Sequence, residues 1–196
     1  MKKGTLAGII ILAVIALICI WGFGKYNTLV EKEENVETAW AQVENQYQRR
    51  MDLVPQLVGV VKGYAQHESN TLEAVIEARS KATSITIDAN SLTEENLQAF
   101  QAAQGELGSA LSRLMAISES YPDLKANQNF LELQSQLEGT ENRLAVARNA
   151  YNEQVRIFNI SVRRFPDNIV AGMFGFEKKA LFQAAEEAHK APVVEF

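Results

Sequence analysis

Apolar side chains fill the chain without interruption from Gly4 to Gly24, and beyond that point they recur at every third or fourth position. The first stretch contains no charged residue and lies between Lys3 and Lys25. About 20 apolar residues in a helix cross the hydrocarbon core of a bilayer, where a helix satisfies its own backbone polar groups. We therefore predict an N-terminal transmembrane anchor over residues 1–24. Its anchor residues are Leu6, Ile10, Leu12, Val14, Leu17, Ile20, Trp21 and Phe23.

Three other interpretations of this stretch fit the residues less well. A cleaved signal peptide would end at a small-x-small site, and none follows the apolar run. A lipoprotein anchor on Cys19 would need a small residue before the cysteine, where Ile18 stands. A buried core helix would show a polar face, and Trp21 lies at one edge of the run, where interfacial aromatic residues are found.

From Tyr26 the spacing indicates a helix with one apolar face, continuing out of the membrane. We expect a break at residues 22–24 and a kink at Pro55, which lacks a backbone donor. Gly59 and Gly63 lie one turn apart and would allow a partner helix to approach closely. The apolar face comprises Val36, Trp40, Val43, Tyr47, Met51, Val54, Val58, Val61 and Ala65.

The middle of the chain predicts a short helical segment, a loop and a further helix with its own apolar stripe. Residues 72–82 continue the first helix or form a separate one. Residues 83–91 are rich in β-branched and turn residues, which indicates a loop. Ser91 with Glu94, or Thr93 alone, then caps a new helix. Its stripe is Leu97, Phe100, Leu107, Leu111, Leu114 and Ile117.

Pro122 ends that helix, and we expect Asp123 to begin another of about 40 residues, ending at residues 165–168. This helix matches the first in length, so the two can lie antiparallel. A glycine-interrupted apolar stretch follows at residues 169–176, then an amphipathic helix over residues 177–189. The stripe of the long helix is Phe130, Leu133, Leu137, Leu144, Tyr151, Val155, Phe158, Val162 and Phe165.

No period-two alternation is long enough for a sheet, so the predicted class is all-α. A single transmembrane helix over residues 1–24 precedes an elongated antiparallel helical bundle over residues 25–190, and residues 191–196 form an extended tail. The net charge of -5 argues against nucleic acid as a partner, since lysine and arginine neutralise phosphates in such complexes. The single cysteine lies in the apolar run, which leaves no disulfide or thiolate metal site.

Two long blocks resemble the LemA family of bacterial membrane proteins. The first runs from Tyr26 to Glu68 and contains AW-x-QVE and RR-x-DL-x-P-x-LV; the second runs from Tyr121 to Asn159 and opens with YPDLKAN. The resemblance implies an antiparallel α-helical bundle behind an N-terminal membrane segment, and it carries over no catalytic residue. Some members have a lipobox cysteine just before the Tyr-Asn pair. This chain has Lys25 there, so the resemblance implies anchoring by the helix alone.

Candidate chemistry is sparse, and we expect neither an enzyme nor a bound cofactor. Glu186 and His189 form a Glu-x-x-His pair, which is half of a di-iron carboxylate site. His67 stands apart, so both histidines read as solvated helix ends and we expect no metal. A nucleophile would need a base held by an orienting group, and no such signature is present.

Two arginine pairs and an asparagine pair are the candidate interaction residues within the bundle. Arg49 with Arg50, and Arg163 with Arg164, suit acidic partners or lipid headgroups, although each lies beside a stripe position where salt bridges between helices are expected. The asparagine pair, Asn152 and Asn159, lies one heptad apart. These side chains are either buried amides that set the register between helices or exposed to solvent.

Two functions fit this pattern. The first is a non-catalytic membrane scaffold or adaptor that self-associates, because the face with Trp40, Tyr47 and Val54 has surface to spare if three long helices pack. The second is a sensor that binds a small ligand or envelope component. Only residues 1–3 precede the span, so we expect no output domain, which favours the scaffold. The lysine distribution favours the bacterial cytoplasmic membrane with the bundle outside.

The C-terminal tail offers a further candidate contact. Pro192 cannot continue a helix interior, and Val193, Val194 and Phe196 are strand formers. We predict either that Val194 and Phe196 dock on the sheet edge of a protein partner or another copy, or that they fold back on the bundle.

Overall fold

The structure, a computed structural model, describes residues 3–183, with side chains from residue 8 onward apart from that of Asn90. Within this range no residue is in a β-strand, and the predicted all-α class is confirmed. Short 3-10 helices lie at Ala89–Ser91 and Ser118–Ser120. The α-helices are α1 (Lys3–Tyr64), α2 (Ser69–Ser84), α3 (Glu94–Ile117), α4 (Pro122–Lys125), α5 (Gln128–Arg163) and α6 (Asp167–Phe174).

Helix α1 joins the membrane anchor to the bundle without interruption. It shows no break at residues 22–24, contrary to expectation, and it continues through Pro55. From Gly8 it has the length and apolarity needed to cross a membrane, and the apolar window is entirely unburied within the described chain. The anchor residues from Ile10 to Phe23 are accordingly exposed, while Leu6 lies in α1 with its side chain outside the described set.

Helices α1 and α5 form the long antiparallel pair that their matching stripes predicted. Near the membrane Lys32 Nζ donates to Ser161 Oγ at 2.5 Å. At the far end Asn127 Nδ2 donates to the hydroxyl of Tyr64 at 2.8 Å. Residue numbers therefore rise along α1 as they fall along α5, over about 54 Å for a 36-residue helix at about 1.5 Å per residue.

Helices α2 and α3 complete the bundle beside this pair. Helix α2 is separate from α1, and Lys81 of α2 pairs with Glu106 of α3 at 2.7 Å. Thr93 is the N-cap of α3, because its Oγ1 accepts a hydrogen bond from the backbone N–H of Asn96. The loop before it starts at Ile85, two residues later than predicted.

The predicted stripes form two core clusters along the bundle, and a third, small cluster of Leu29, Val170 and Ala171 lies nearest the membrane span. Trp40, Tyr47 and Val54 are fully buried within the chain, so this face cannot supply the surface for self-association that the sequence suggested. Phe165 is 77% exposed and lies past the end of α5, contrary to its place in the predicted stripe. The middle of the three clusters includes Val36, Trp40, Val43, Tyr47, Leu97, Phe100, Leu144, Tyr151, Val155 and Phe158.

Three smaller expectations are also wrong. Asp123 lies in the four-residue helix α4, and Asn127 starts α5 separately by accepting the backbone N–H of Phe130 at 3.0 Å. A methyl group added at Gly59 or Gly63 would have no neighbour within 4 Å beyond the backbone of its own helix, so no helix in the described part of this chain packs closely there. The region predicted to be a helix from Glu177 is not helical over residues 177–183.

Candidate functional site

Residues 176–183 are not helical and run along α5, although the sequence predicted an amphipathic helix from residue 177. We call this segment the strap. Helix α6 ends at Gly175, whose φ of 77° lies in the left-handed region that glycine adopts readily. The remaining residues of the predicted helix, 184–189, and the tail lie outside the described residues.

Two asparagines of α5 hold the backbone of the strap. Asn159 Nδ2 donates to the carbonyl of Lys179 at 2.8 Å, and the N–H of Lys179 donates to Asn159 Oδ1 at 2.9 Å. Asn152 repeats the arrangement with Phe182, at 3.1 Å and 2.9 Å. Each amide therefore satisfies both backbone groups of one strap residue. The pair is neither register-setting nor exposed, because it contacts main chain.

The spacing of these contacts follows from helix and strand geometry. Residues 152 and 159 are seven positions apart, which is about 10.5 Å along a helix. Residues 179 and 182 are three positions apart, which is about 10 Å in extended chain. A heptad on α5 thus matches three residues of an extended backbone. The match depends on main-chain geometry and not on the strap's side chains.

A third pair of contacts holds the strap between the asparagines. The hydroxyl of Tyr151 donates to the carbonyl of Ala180 at 2.8 Å, and the N–H of Ala180 donates to the carbonyl of Leu92 at 3.0 Å. Burial raises the pKa of the Tyr151 hydroxyl above its ordinary value, so the hydroxyl remains a donor into the alkaline range. We call Asn152, Asn159 and Tyr151 the clasp.

One aromatic side chain of the strap enters a socket built from α1 and α5. The Phe182 ring stacks on Trp40 with centroids 5.9 Å apart, and it meets Tyr151 edge-on at 5.3 Å. The guanidinium of Arg148 lies 5.4 Å from the same ring. Such contacts stabilise aromatic pairs beyond the area they bury.

Arg148 also connects the socket to the bundle core. Its guanidinium donates to the Tyr47 hydroxyl, with Nε at 2.9 Å, and lies over that ring. Burial raises the pKa of Tyr47, and the cations of Arg148 and Arg50 oppose that shift. Outside the socket, Lys179 of the strap pairs with Glu33 of α1 at 2.9 Å. A second ring of the strap, that of Phe176, meets the rings of Tyr26 and Phe158 with centroids 5.8 Å and 6.4 Å apart. The strap is thus fixed by main-chain hydrogen bonds, by two rings, by an ion pair and by the side chain of Gln183, which donates to Glu94.

The predicted Arg49–Arg50 pair is divided between surface and core. Arg50 is 3% exposed and donates to Glu141 of α5 at 2.8 Å. It also donates to the backbone and side-chain oxygens of Gln104 in α3, at 2.9 Å and 2.5 Å. Arg50 therefore joins three helices, whereas Arg49 is exposed.

The remaining candidate interaction residues lie apart from the clasp. Arg163 and Arg164 are exposed at the membrane-proximal end of α5. Val194 and Phe196 lie outside the described residues, so docking of the tail stays a prediction. The described residues contain no group of carboxylate, histidine and cysteine side chains placed to hold a metal ion.

The surface between α1 and α5 carries an open groove of about 440 Å³. Its lining is mainly amide and small apolar side chains, including Gln42, Gln46 and Asn142. A ligand-enclosing sensor site would need walls on every side, and this groove opens to solvent.

The clasp could have been found only in part from sequence. Two asparagines one heptad apart beside stripe positions were a visible signal. Their partner was hidden, because residues 177–183 favour helix by composition. The socket residues Trp40 and Tyr151 belong to the predicted helix stripes, and their spacing does not show that one edge of each ring contacts the strap.

Comparison with known proteins adds the family. A model of the LemA family matches residues 39–196. Magnetosome protein MamQ 2 of Paramagnetospirillum magneticum is 26% identical over 98% of this chain and 77% of its own length. Protein LemA of Metamycoplasma hominis is 27% identical over 83% of this chain and 71% of its own length. Magnetosome protein MamQ of Magnetospirillum gryphiswaldense is 25% identical over 87% of this chain and 68% of its own length.

Proposed function

The chain belongs to the LemA family. Because its relatives are bacterial and its first helix is long and apolar enough to cross a membrane, we propose that it is a non-catalytic scaffold that self-associates at a bacterial membrane. The clasp is the observation that carries this proposal. It binds an extended peptide segment through groups that recognise main chain and one aromatic side chain. In this structure the segment is the chain's own strap.

The chemistry of the clasp suits docking. Asparagine amides do not titrate, and each offers one donor and one acceptor in the geometry of a backbone pair. Hydrogen bonds to main chain provide affinity in strand-type peptide recognition, while a pocket for a side chain provides specificity. The site therefore fits an extended segment that has a phenylalanine three residues after the residue held by Asn159, as Phe182 follows Lys179 in the strap.

The partner we propose is the strap of a second copy. The strap follows Gly175, a residue of high conformational freedom, and it lies on the surface of α5. Exchange of an identical element between copies preserves every contact, so it forms dimers at low free-energy cost. This route replaces the buried face with Trp40, Tyr47 and Val54 as the basis for self-association.

A cross-linking experiment on the full chain tests this proposal. Gln183 of the strap donates to Glu94 of α3 at 3.2 Å, so cysteines at these positions lie within reach of a short thiol cross-linker. Glu94→Cys and Gln183→Cys are placed on two differently tagged chains, both carrying Cys19→Ser, and are co-expressed. We expect a cross-linked pair that carries both tags. Ser135→Cys, exposed on the distal part of α5, replaces Glu94→Cys as the matched control.

Two results would contradict the proposal. A monomer mass by detergent-corrected light scattering would exclude self-association. A dimer mass without the doubly tagged cross-link would show association through another surface and exclude strap exchange.

The orientation we propose places the bundle outside the cytoplasmic membrane, following the lysine distribution around the span. Protease added to intact spheroplasts should then cleave the bundle. Full protection, with cleavage restored after lysis, would place the bundle in the cytoplasm.

A further inference from the structure

The membrane-proximal end of the bundle exposes large apolar side chains close together in the sequence. Phe165 is 77% exposed and Met173 is 76% exposed, with Phe174 at 55% and Ile169 at 51%. Single exposed apolar residues are ordinary, but a group of them marks a surface that contacts something other than water. The group lies on α6 and the turn that precedes it.

Helix α6 lies directly beside the point where α1 leaves the membrane span. The Asp167 carboxylate at its start pairs with Lys25 at 2.9 Å. The Phe174 ring at its end meets the Tyr26 ring with centroids 4.7 Å apart. The predicted span ends at Gly24, so both contacts fall on the first two residues after it.

These two contacts also define how α6 is oriented. Its eight residues extend about 12 Å at about 1.5 Å per residue. If α6 ran parallel to α1, its two ends would meet residues of α1 about seven positions apart. They meet adjacent residues, so α6 lies across α1. A helix across a membrane-spanning helix runs broadly along the bilayer surface.

The two sides of α6 differ in the way that interfacial helices do. Val170 and Ala171 are buried against Leu29 of α1. Ile169 and Met173 are one turn apart on another side and are exposed, and Phe165, in the turn before α6, is exposed as well. The adjacent Arg163 and Arg164 are also exposed, and no ion pair within the described part of the chain includes them.

We propose that α6 and Phe165 form a second membrane contact, seated in the headgroup and acyl boundary of the bilayer that α1 crosses. Apolar side chains beside a cationic flank suit this boundary, since the rings and alkyl chains enter it while guanidinium groups bind phosphates. The contact fixes the bundle at two points on the membrane and sets its tilt. The occupant is lipid, because the surface is continuous with the membrane span through Lys25 and Tyr26.

The test uses the full chain in vesicles of phosphatidylcholine and phosphatidylglycerol. Met173→Cys in a Cys19→Ser background is labelled with an environment-sensitive fluorophore. Val146→Cys is the matched control, since Val146 is 69% exposed on α5 at the level of Gln42 and Gln46. That level is about 30 Å beyond Gly24 along α1.

We expect the probe at residue 173 to emit at shorter wavelength than the control. A spin label near the lipid headgroups should quench the fluorescence of the probe at residue 173 at least about twice as strongly as that of the probe at residue 146, as expected for a group at the interface. Equal quenching at residues 173 and 146 would overturn the proposal. A second result would also overturn it: the probe at residue 173 is protected from aqueous iodide but not quenched by the lipid spin label, and this protection increases with the protein-to-lipid ratio. A second copy of the chain, and not lipid, would then cover this surface.

Discussion

The guanidinium of Arg79 donates its Nε–H to the main-chain carbonyl of Met51 at 2.9 Å. In an uninterrupted helix this carbonyl would accept the N–H of residue 55, four positions later, and residue 55 is proline. Arg79 of α2 therefore replaces the hydrogen bond that Pro55 cannot make. The contact lets α1 continue through a proline and also attaches α2 to it.

Removing this arginine should destabilise the bundle in a way that a second substitution reverses. Arg79→Ala leaves the Met51 carbonyl without its partner, and we expect it to cost about 1–2 kcal/mol in the free energy of unfolding. Pro55→Ala restores a backbone donor, so the cost of Arg79→Ala should be smaller in that background. Denaturant unfolding of the four chains gives the coupling. Equal costs in both backgrounds would show that the arginine does not compensate for the proline.

The neighbouring arginines of α1 should differ in their effect on stability. Arg50→Ala leaves the buried side-chain oxygen of Gln104 without its donor and opens a cavity among α1, α3 and α5. We expect it to cost about 2–4 kcal/mol. Arg49→Ala changes an exposed residue, so its effect should stay within about 0.5 kcal/mol. Thermal or denaturant unfolding of both variants measures the difference, and similar losses would contradict the structural role assigned to Arg50.

The clasp should control access to the strap. Asn159→Ala removes both hydrogen bonds to Lys179, and a loss of about 1.4 kcal/mol would raise the fraction of released strap about tenfold. Trypsin cleavage after Lys178 and Lys179 should accelerate accordingly. Asn142→Ala, an exposed asparagine on the same helix, is the control. Equal cleavage rates in both variants would show that the asparagine pair does not hold the strap.

Alkaline pH should weaken the fold through buried tyrosines. Burial raises the pKa of Tyr151 and of Tyr47 in the folded chain. The unfolded chain loses these protons first, so the free energy of unfolding should decrease as the pH rises above about 10. Tyrosinate absorbance of the folded chain should contain a late component that Tyr151→Phe reduces. A folded chain that titrates like the urea-denatured chain would contradict this assignment.

Features that depend on local periodicity or on a few neighbouring residues were readable in the sequence. The membrane span follows from an unbroken apolar run, and the antiparallel α1–α5 pair follows from two stripes of similar length. A cap at Ser91 or Thr93 follows from the hydroxyls placed before a helix, and the structure selects Thr93. The cap is a contact within about one helical turn, whereas the span and the stripes are patterns that repeat over many turns.

Contacts between distant segments were decided by the tertiary structure. The strap has the composition of a helix, yet its backbone groups find partners on Asn152, Asn159 and Tyr151, and Phe182 finds a socket against Trp40. Propensity differs between such residues by only about 0.7 kcal/mol at each position, so a set of tertiary hydrogen bonds and ring contacts outweighs it. The same reason explains Arg50 and Arg49, which are adjacent and alike in sequence. One of them meets Glu141 and Gln104 in the bundle, and the other meets solvent.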